Sequence, residues 1–86
     1  MAIDASPLTL TVYSRAYCHL CDELLEALEG LQHAVPFTVE VVDIDADPGL
    51  ERSHGDRVPV LVHDGNELCH GRIDRDRVTA YLAQFR

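Results

Sequence analysis

Two cysteines separated by two residues are the part of this sequence best suited to chemistry. Cys18 and Cys21 come after the apolar stretch 8–13. They lie at the start of a helix that is predicted over 19–31. At a helix start this spacing puts both thiols on one face and within disulfide reach. Free N–H groups and the helix dipole favour a thiolate there. The pair therefore suits thiol–disulfide exchange, with Cys18 attacking and Cys21 lying one turn inward.

The same two thiols also suit other classes of protein. With further ligands they would hold a zinc ion, or they would share an iron–sulfur cluster across a dimer. A redox-silent interaction protein that keeps the fold without turnover is a third class. His19 would stabilise a neighbouring thiolate when protonated, or it would point to solvent. The remaining cysteine, Cys69, is expected to be a small buried core residue.

Composition narrows the classes of partner. The 86 residues, 47% of them apolar, suffice for one domain, 1–86, in which 1–7 is expected to be flexible. Seven basic residues against 15 acidic ones give a net charge of -8, which disfavours nucleic acid and anionic membranes. Residues 1–7 resemble neither a signal peptide nor an anchor, so a cytoplasmic protein is expected. Structural disulfides are rare in that compartment.

The periodicity of apolar residues predicts four strands and three helices. Strands are predicted over 8–13 and 37–44, before and after the helix over 19–31. Gly30 and Pro36 are expected to end this helix. The three elements form a parallel β–α–β unit. Residues 45–48 predict a helix cap followed by proline, opening a short helix that ends near Gly55. Three aspartates in this region are expected to cap helices or to face water, and not to bind a cation. They are Asp43, Asp45 and Asp47.

The second half of the chain predicts a β-hairpin and a last helix. Residues 58–63 and 67–70 are strands around the turn 64–66. Asp74 is expected to cap an amphipathic helix. Its inner side is predicted to carry Val78, Tyr81, Leu82 and Phe85.

This β–α–β–α–β–β–α order resembles the thioredoxin fold in its smallest form, the glutaredoxin type. The residues that carry the resemblance are the motif 18–21 at the helix start and Val58-Pro59 at the third strand, with 14–15, 22–24, 42–45, 57–61 and 71–72. The likeness covers 8–85 and is greatest to bacterial glutaredoxin-like proteins. It implies an α/β fold with a four-stranded mixed sheet flanked by helices.

The resemblance also implies roles for individual residues. It makes Cys18 the nucleophile, Cys21 the resolving thiol and Pro59 a cis-proline facing them, with the Val58 backbone offered to substrate. Arg15 matches a basic position of the family and would bind substrate or pair with Asp22. Tyr17 is equally suited to the rim of the site and to packing.

The implied enzyme is a monomeric thiol–disulfide oxidoreductase without a resident cofactor or metal. Its partners would be a protein or low-molecular-weight disulfide and, as reductant, glutathione or a thioredoxin-type protein. Cys69 and His70 stand where the family has two glycines, and Arg72 stands where it has an acidic residue. Side chains there would keep glutathione from the backbone, so weak glutathione recognition is expected.

Overall fold

The computed structural model describes residues 8–33 and 35–85, so the predicted flexible segment 1–7 lies outside the described residues. The elements are β1 (Thr9–Ser14), α1 (His19–Leu31), β2 (Thr38–Asp43), a short 3₁₀ turn (Ile44–Ala46), α2 (Pro48–His54), β3 (Val60–His63), β4 (Asn66–His70) and α3 (Arg75–Ala83). Their order is the predicted one. In the described part of the chain, no helix has the length and apolar character needed to cross a bilayer.

The four strands form one mixed sheet in the order β2-β1-β3-β4. β1 is parallel to β2 and antiparallel to β3, and β3 is antiparallel to β4. Tyr13 of β1 pairs with Val60 of β3, which in turn pairs with His70 of β4. The end of β1, the start of β3 and the end of β4 therefore meet at one end of the sheet.

Short polar side chains begin two of the helices as predicted. Asp47 accepts hydrogen bonds from the backbone N–H groups of Gly49 and Leu50, at 2.8 and 3.3 Å, ahead of Pro48. Asp74 accepts one from the N–H of Arg77 at 3.1 Å. These carboxylates satisfy first-turn donors that have no partner within the helix.

The two faces of the sheet bury different helices. Leu10 and Val12 of β1 belong to the main core, which also contains residues of α1 and α3, among them Leu28 and Val78. Tyr13 lies on the opposite face because side chains alternate along a strand. Its ring stacks on His54 of α2, with ring centroids 4.6 Å apart. The sheet therefore lies between α1 and α3 on one side and α2 on the other.

The role of one glycine and the position of one aromatic side chain differ from the sequence prediction. Gly30 lies inside the last turn of α1 rather than after it, and the cap is Gln32, whose side-chain amide donates to the Phe37 carbonyl at 2.7 Å. Phe85 was predicted on the inner side of α3, and that prediction is wrong. The helix ends at Ala83, and Phe85 is 44% exposed, packed edge-on against the ring of His63.

Candidate active site

The two cysteines of the 18–21 motif are paired at the start of α1. Cys18 is the N-cap residue with extended backbone, and its Cα lies 5.2 Å from that of Cys21 in a sulfur-to-sulfur pair. Cys18 is half-buried, whereas Cys21 is only 1% exposed. A reagent arriving from solvent therefore reaches the sulfur of Cys18 first.

The helix start supplies a hydrogen bond to the more exposed sulfur. The backbone N–H of Cys21 donates to Sγ of Cys18 at 3.2 Å. Such a donor, together with the positive end of the helix dipole, stabilises a negatively charged sulfur. The acidic Asp22 in the same first turn works in the opposite direction. The hydrogen bond from the backbone thus stabilises a thiolate at Cys18 and not at Cys21. This agrees with the attacking role expected for Cys18 from its first position in the motif.

His19 lies on the solvent side of α1. Its side chain is 86% exposed, and Nε2 lies 2.9 Å from the carboxylate of Glu23, one turn along the helix. Of the two arrangements considered from the sequence, the structure therefore has the solvent-facing one.

Tyr17 lies between β1 and the nucleophile in an unusual conformation. Its φ angle is +58°, in the left-handed region that costs energy for a residue other than glycine. The side chain is fully exposed. The packing role of Tyr17 is therefore wrong, and its side chain is on the surface, one residue before Cys18.

Arg15 ties the loop before Cys18 to the segment around α2. Its guanidinium donates to both carboxylate oxygens of Asp45, with Nη2 at 2.6 Å from Oδ1 and Nε at 3.4 Å from Oδ2. Nη1 donates to the carbonyl of Gly55 at 3.2 Å, and Glu51 lies 3.6 Å away. The alternative pairing with Asp22 is therefore wrong.

Asp45 is the partner that the sequence prediction missed. It was expected to serve capping or solvation, as its neighbours do, since Asp43 accepts from the N–H of Asp45 at 2.9 Å and Asp47 caps α2. The hydrogen bond from Arg15 instead lowers the pKa of Asp45 below its usual value, against a smaller opposing effect of burial. Because the two residues lie 30 positions apart, no local pattern pointed to the pair.

Val58 and Pro59 lie at the same end of the sheet as the dithiol. The peptide bond between them is cis, the isomer that the resemblance implies, and the Pro59 ring is fully buried. The Pro59 carbonyl accepts from the N–H of Gly71 at 2.8 Å, and Gly71 has φ +71°. Within residues 8–33 and 35–85, no group hydrogen-bonds to the backbone of Val58.

Cys69 is a core residue, as expected. It is 8% exposed and packs within the main cluster. Burial raises the pKa of its thiol, and a hydrogen bond from the Asp74 backbone only partly opposes that effect. Cys69 is therefore a poor candidate for a third reactive thiol.

His70 faces solvent beside an ion pair. Its Nδ1 lies 3.0 Å from Glu67, whose carboxylate is 2.6 Å from the guanidinium of Arg57. Burial alone would raise the pKa of Glu67, but the hydrogen bonds from Arg57 and His70 outweigh it and bring that pKa below its usual value. Over residues 8–33 and 35–85, no three His, Cys, Asp or Glu side chains come together as a metal site.

Comparison with known proteins places this site in a family. Residues 9–83 match the glutaredoxin-like domain (DUF836). The chain belongs to this family. The uncharacterized protein Rv0508 of Mycobacterium tuberculosis is 33% identical over 76 residues, which are 83% of this chain and 78% of that protein. The resemblance inferred from the 18–21 motif is confirmed.

Solved structures agree with the fold of this glutaredoxin-like domain. The solution structure of protein Ne2328 from Nitrosomonas europaea aligns with a TM-score of 0.82 at 43% identity, over 95% of this chain and 99% of that one. A thioredoxin variant from Halobacterium salinarum aligns with a TM-score of 0.63 at 25% identity, over 91% and 74%. The predicted thioredoxin-like α/β fold with a mixed four-stranded sheet is confirmed.

Proposed function

We propose that this glutaredoxin-like domain is a thiol–disulfide oxidoreductase in which Cys18 attacks and Cys21 resolves. The observation that carries the proposal is the unequal environment of two paired sulfurs. Cys18 is accessible and accepts a backbone N–H, whereas Cys21 is buried beneath it. A thiolate attacks from the exposed position, and the buried thiol is protected until a mixed disulfide forms next to it.

The reaction conserves electrons and protons over two displacement steps. The Cys18 thiolate bonds to one sulfur of a substrate disulfide, and the other substrate sulfur leaves as a thiolate that takes up a proton. Cys21, having lost its proton, then bonds to the Cys18 sulfur and displaces the second substrate thiolate. Two electrons pass to the substrate, and the Cys18–Cys21 disulfide remains. A thiol reductant returns the pair to the dithiol state.

The substrate is proposed to dock on Tyr17 and on the backbone of Val58, which the buried Pro59 follows. The Tyr17 ring is fully exposed next to the nucleophile, which suits contact with a partner. The Val58 backbone has no partner in the described part of the chain and suits a main-chain hydrogen bond to substrate. Arg15 is proposed to position the loop, because its guanidinium is already occupied by Asp45 and Gly55.

Glutathione is proposed to be a weak co-substrate, and a protein disulfide the preferred partner. A tripeptide with two carboxylates needs fixed cationic donors, and Arg15 is already paired with a carboxylate. By the resemblance, Cys69 and His70 stand where the family has two glycines, and the His70 side chain faces solvent there, whereas that of Cys69 packs in the core. A thioredoxin-type protein in the cytoplasm is the proposed reductant. The buried free thiol of Cys69 is compatible with a reducing compartment.

Trapping of the mixed disulfide tests the proposal. Cys18→Ser is expected to lose disulfide reduction, whereas Cys21→Ser still attacks and accumulates a mixed disulfide, because only the second step needs the resolving thiol. Mass spectrometry of each variant after incubation with a disulfide substrate measures the adduct. Trapping by Cys18→Ser instead of Cys21→Ser would reverse the two roles.

Metal analysis and turnover distinguish the other classes. A stoichiometric metal or an iron–sulfur absorption band in the purified protein, lost on changing either cysteine, would favour a binding module. Absence of turnover with every reductant tested would favour a redox-silent partner protein.

A further inference from the structure

The strand at the edge of the sheet leaves apolar side chains exposed. β2 pairs with β1 alone, so its outer edge has no strand beside it within the described residues. Val39 and Val41 are in register with Leu10 and Val12, and therefore lie on the sheet face that α1 covers. Val41 is nevertheless 54% exposed. An exposed valine in an unpaired strand edge is a ready site for strand addition.

A groove runs between this strand and α1. Its volume is about 440 Å³, and its lining residues are Leu25, Glu26, Glu29, Gln32, Val39 and Val41. Leu25, Val39 and Val41 give the groove an apolar surface, and the two glutamates that line it are exposed. The groove therefore combines an apolar surface with a negatively charged border.

The groove continues toward the dithiol. A second hollow of about 260 Å³ shares Val41 with it and is lined further by Ser14, Arg15, Ala16 and Asp43. Ala16 stands two positions before Cys18. A chain lying along the groove would therefore lead to the loop that carries the nucleophile.

We propose that this groove docks an extended segment of the polypeptide substrate in which the alternate side chains that face the groove include both apolar residues and lysine or arginine. The inference rests on the proposed oxidoreductase function. Main-chain hydrogen bonds to β2 would supply affinity, and alternate side chains would enter the groove. Basic side chains would meet Glu26 and Glu29, and complementary charge of this kind also speeds encounter.

A second copy of the chain fits the groove poorly. β2 contains Glu40 and Asp43 and no basic residue, so pairing two such strands would bring like charges together. Each chain also carries a net charge of -8. This charge opposes self-association and favours a basic partner.

Substrate preference tests the docking groove. Three substrates are compared: a disulfide peptide with a basic, apolar extension, the same peptide with its lysines replaced by glutamates, and a small disulfide without extension. We expect kcat/KM to be about fivefold higher for the basic peptide than for the acidic one, equivalent to about 1 kcal/mol. Glu26→Gln with Glu29→Gln should remove this preference, whereas Val41→Ser should lower kcat/KM for both peptides. Both changes should leave the small disulfide unchanged.

Glu40→Gln is the matched control, because Glu40 is an exposed acid of the same strand on the opposite face. It should keep the preference for the basic peptide. Equal kcat/KM values for the two peptides, a preference that survives Glu26→Gln with Glu29→Gln, or peptide kcat/KM values that Val41→Ser leaves unchanged would overturn the proposal. A dimer in sedimentation that Val41→Ser dissociates would assign the groove to a second copy and overturn it as well.

A binding measurement separates failure of docking from failure of the proposed function. If the small disulfide is not turned over, the oxidoreductase proposal fails. Docking is then followed by the fluorescence anisotropy of a labelled basic peptide with serine in place of cysteine. Binding that weakens about fivefold in Glu26→Gln with Glu29→Gln, but not in Glu40→Gln, would support the groove. Binding that is equal in all variants would overturn it.

Discussion

Thiol reactivity provides a direct test of which sulfurs belong to the site. In a Cys18→Ser, Cys21→Ala variant, Cys69 is the remaining thiol. We expect it to be nearly inert in the folded protein and fully reactive after unfolding. Its side chain is 8% exposed, and burial raises the pKa of the thiol, so both access and the thiolate fraction are reduced.

The size of this protection follows from burial and from the stability of the domain. If the reaction rate scales with the exposed fraction, 8% corresponds to a rate about tenfold lower than that of an accessible thiol. If the reagent must wait for global unfolding, about 0.05 kcal/mol per residue over 86 residues gives about 4 kcal/mol. Since 1.4 kcal/mol is tenfold, that corresponds to about a thousandfold. The expected protection therefore lies between these two factors.

Ellman's reagent, used at one pH with and without guanidinium, measures the protection, and circular dichroism shows that the variant is folded. The control is a Cys21→Ser, Cys69→Ala variant, whose half-buried Cys18 should react in the folded state at close to the unfolded rate. A Cys69 that reacts in the folded protein within about threefold of its unfolded rate would refute the core assignment. It would also make Cys69 a third accessible thiol.

Three further predictions concern the loop, the core and the pH dependence. If Arg15 positions the loop, Asp45→Asn should lower kcat/KM for a disulfide as Arg15→Ala does, whereas a substrate-binding Arg15 would make Asp45→Asn neutral or activating. Leu28→Ala, at a fully buried position of α1, should lower the free energy of unfolding in urea by about 2–5 kcal/mol, whereas the exposed Glu29→Ala should change it by less than about 0.5 kcal/mol. The pKa of Glu67 is lowered in the folded state by Arg57 and His70, so its stabilisation is present above its ordinary value of 4.5 and is lost as the pH falls through the folded pKa. Glu67→Gln should flatten the pH dependence of urea unfolding in that acidic range, and an unchanged slope would contradict the assignment.

Local features of the sequence determined most of the fold. Helix α1 begins at His19 and ends at Leu31, as predicted, because a 3.6-residue period of leucines specifies both its extent and its buried face. The starts of α2 and α3 were predicted from Asp47 with Pro48 and from Asp74. A capping side chain accepts a hydrogen bond from a backbone N–H only two or three residues away. Such interactions are complete within a few residues and can be recognised without knowledge of the rest of the chain.

Contacts between distant segments were decided only by the tertiary structure. The partner of Arg15 is one of 15 acidic residues. From the sequence, Arg15 was expected to bind substrate or to pair with Asp22, seven positions away, whereas the structure pairs it with Asp45, 30 positions away. The exposure of Tyr17 and the groove beside Val41 likewise depend on which surfaces α1 and the neighbouring strand leave uncovered. Periodicity shows which face of an element is apolar, but whether that face is covered depends on the packing of elements far apart in the chain.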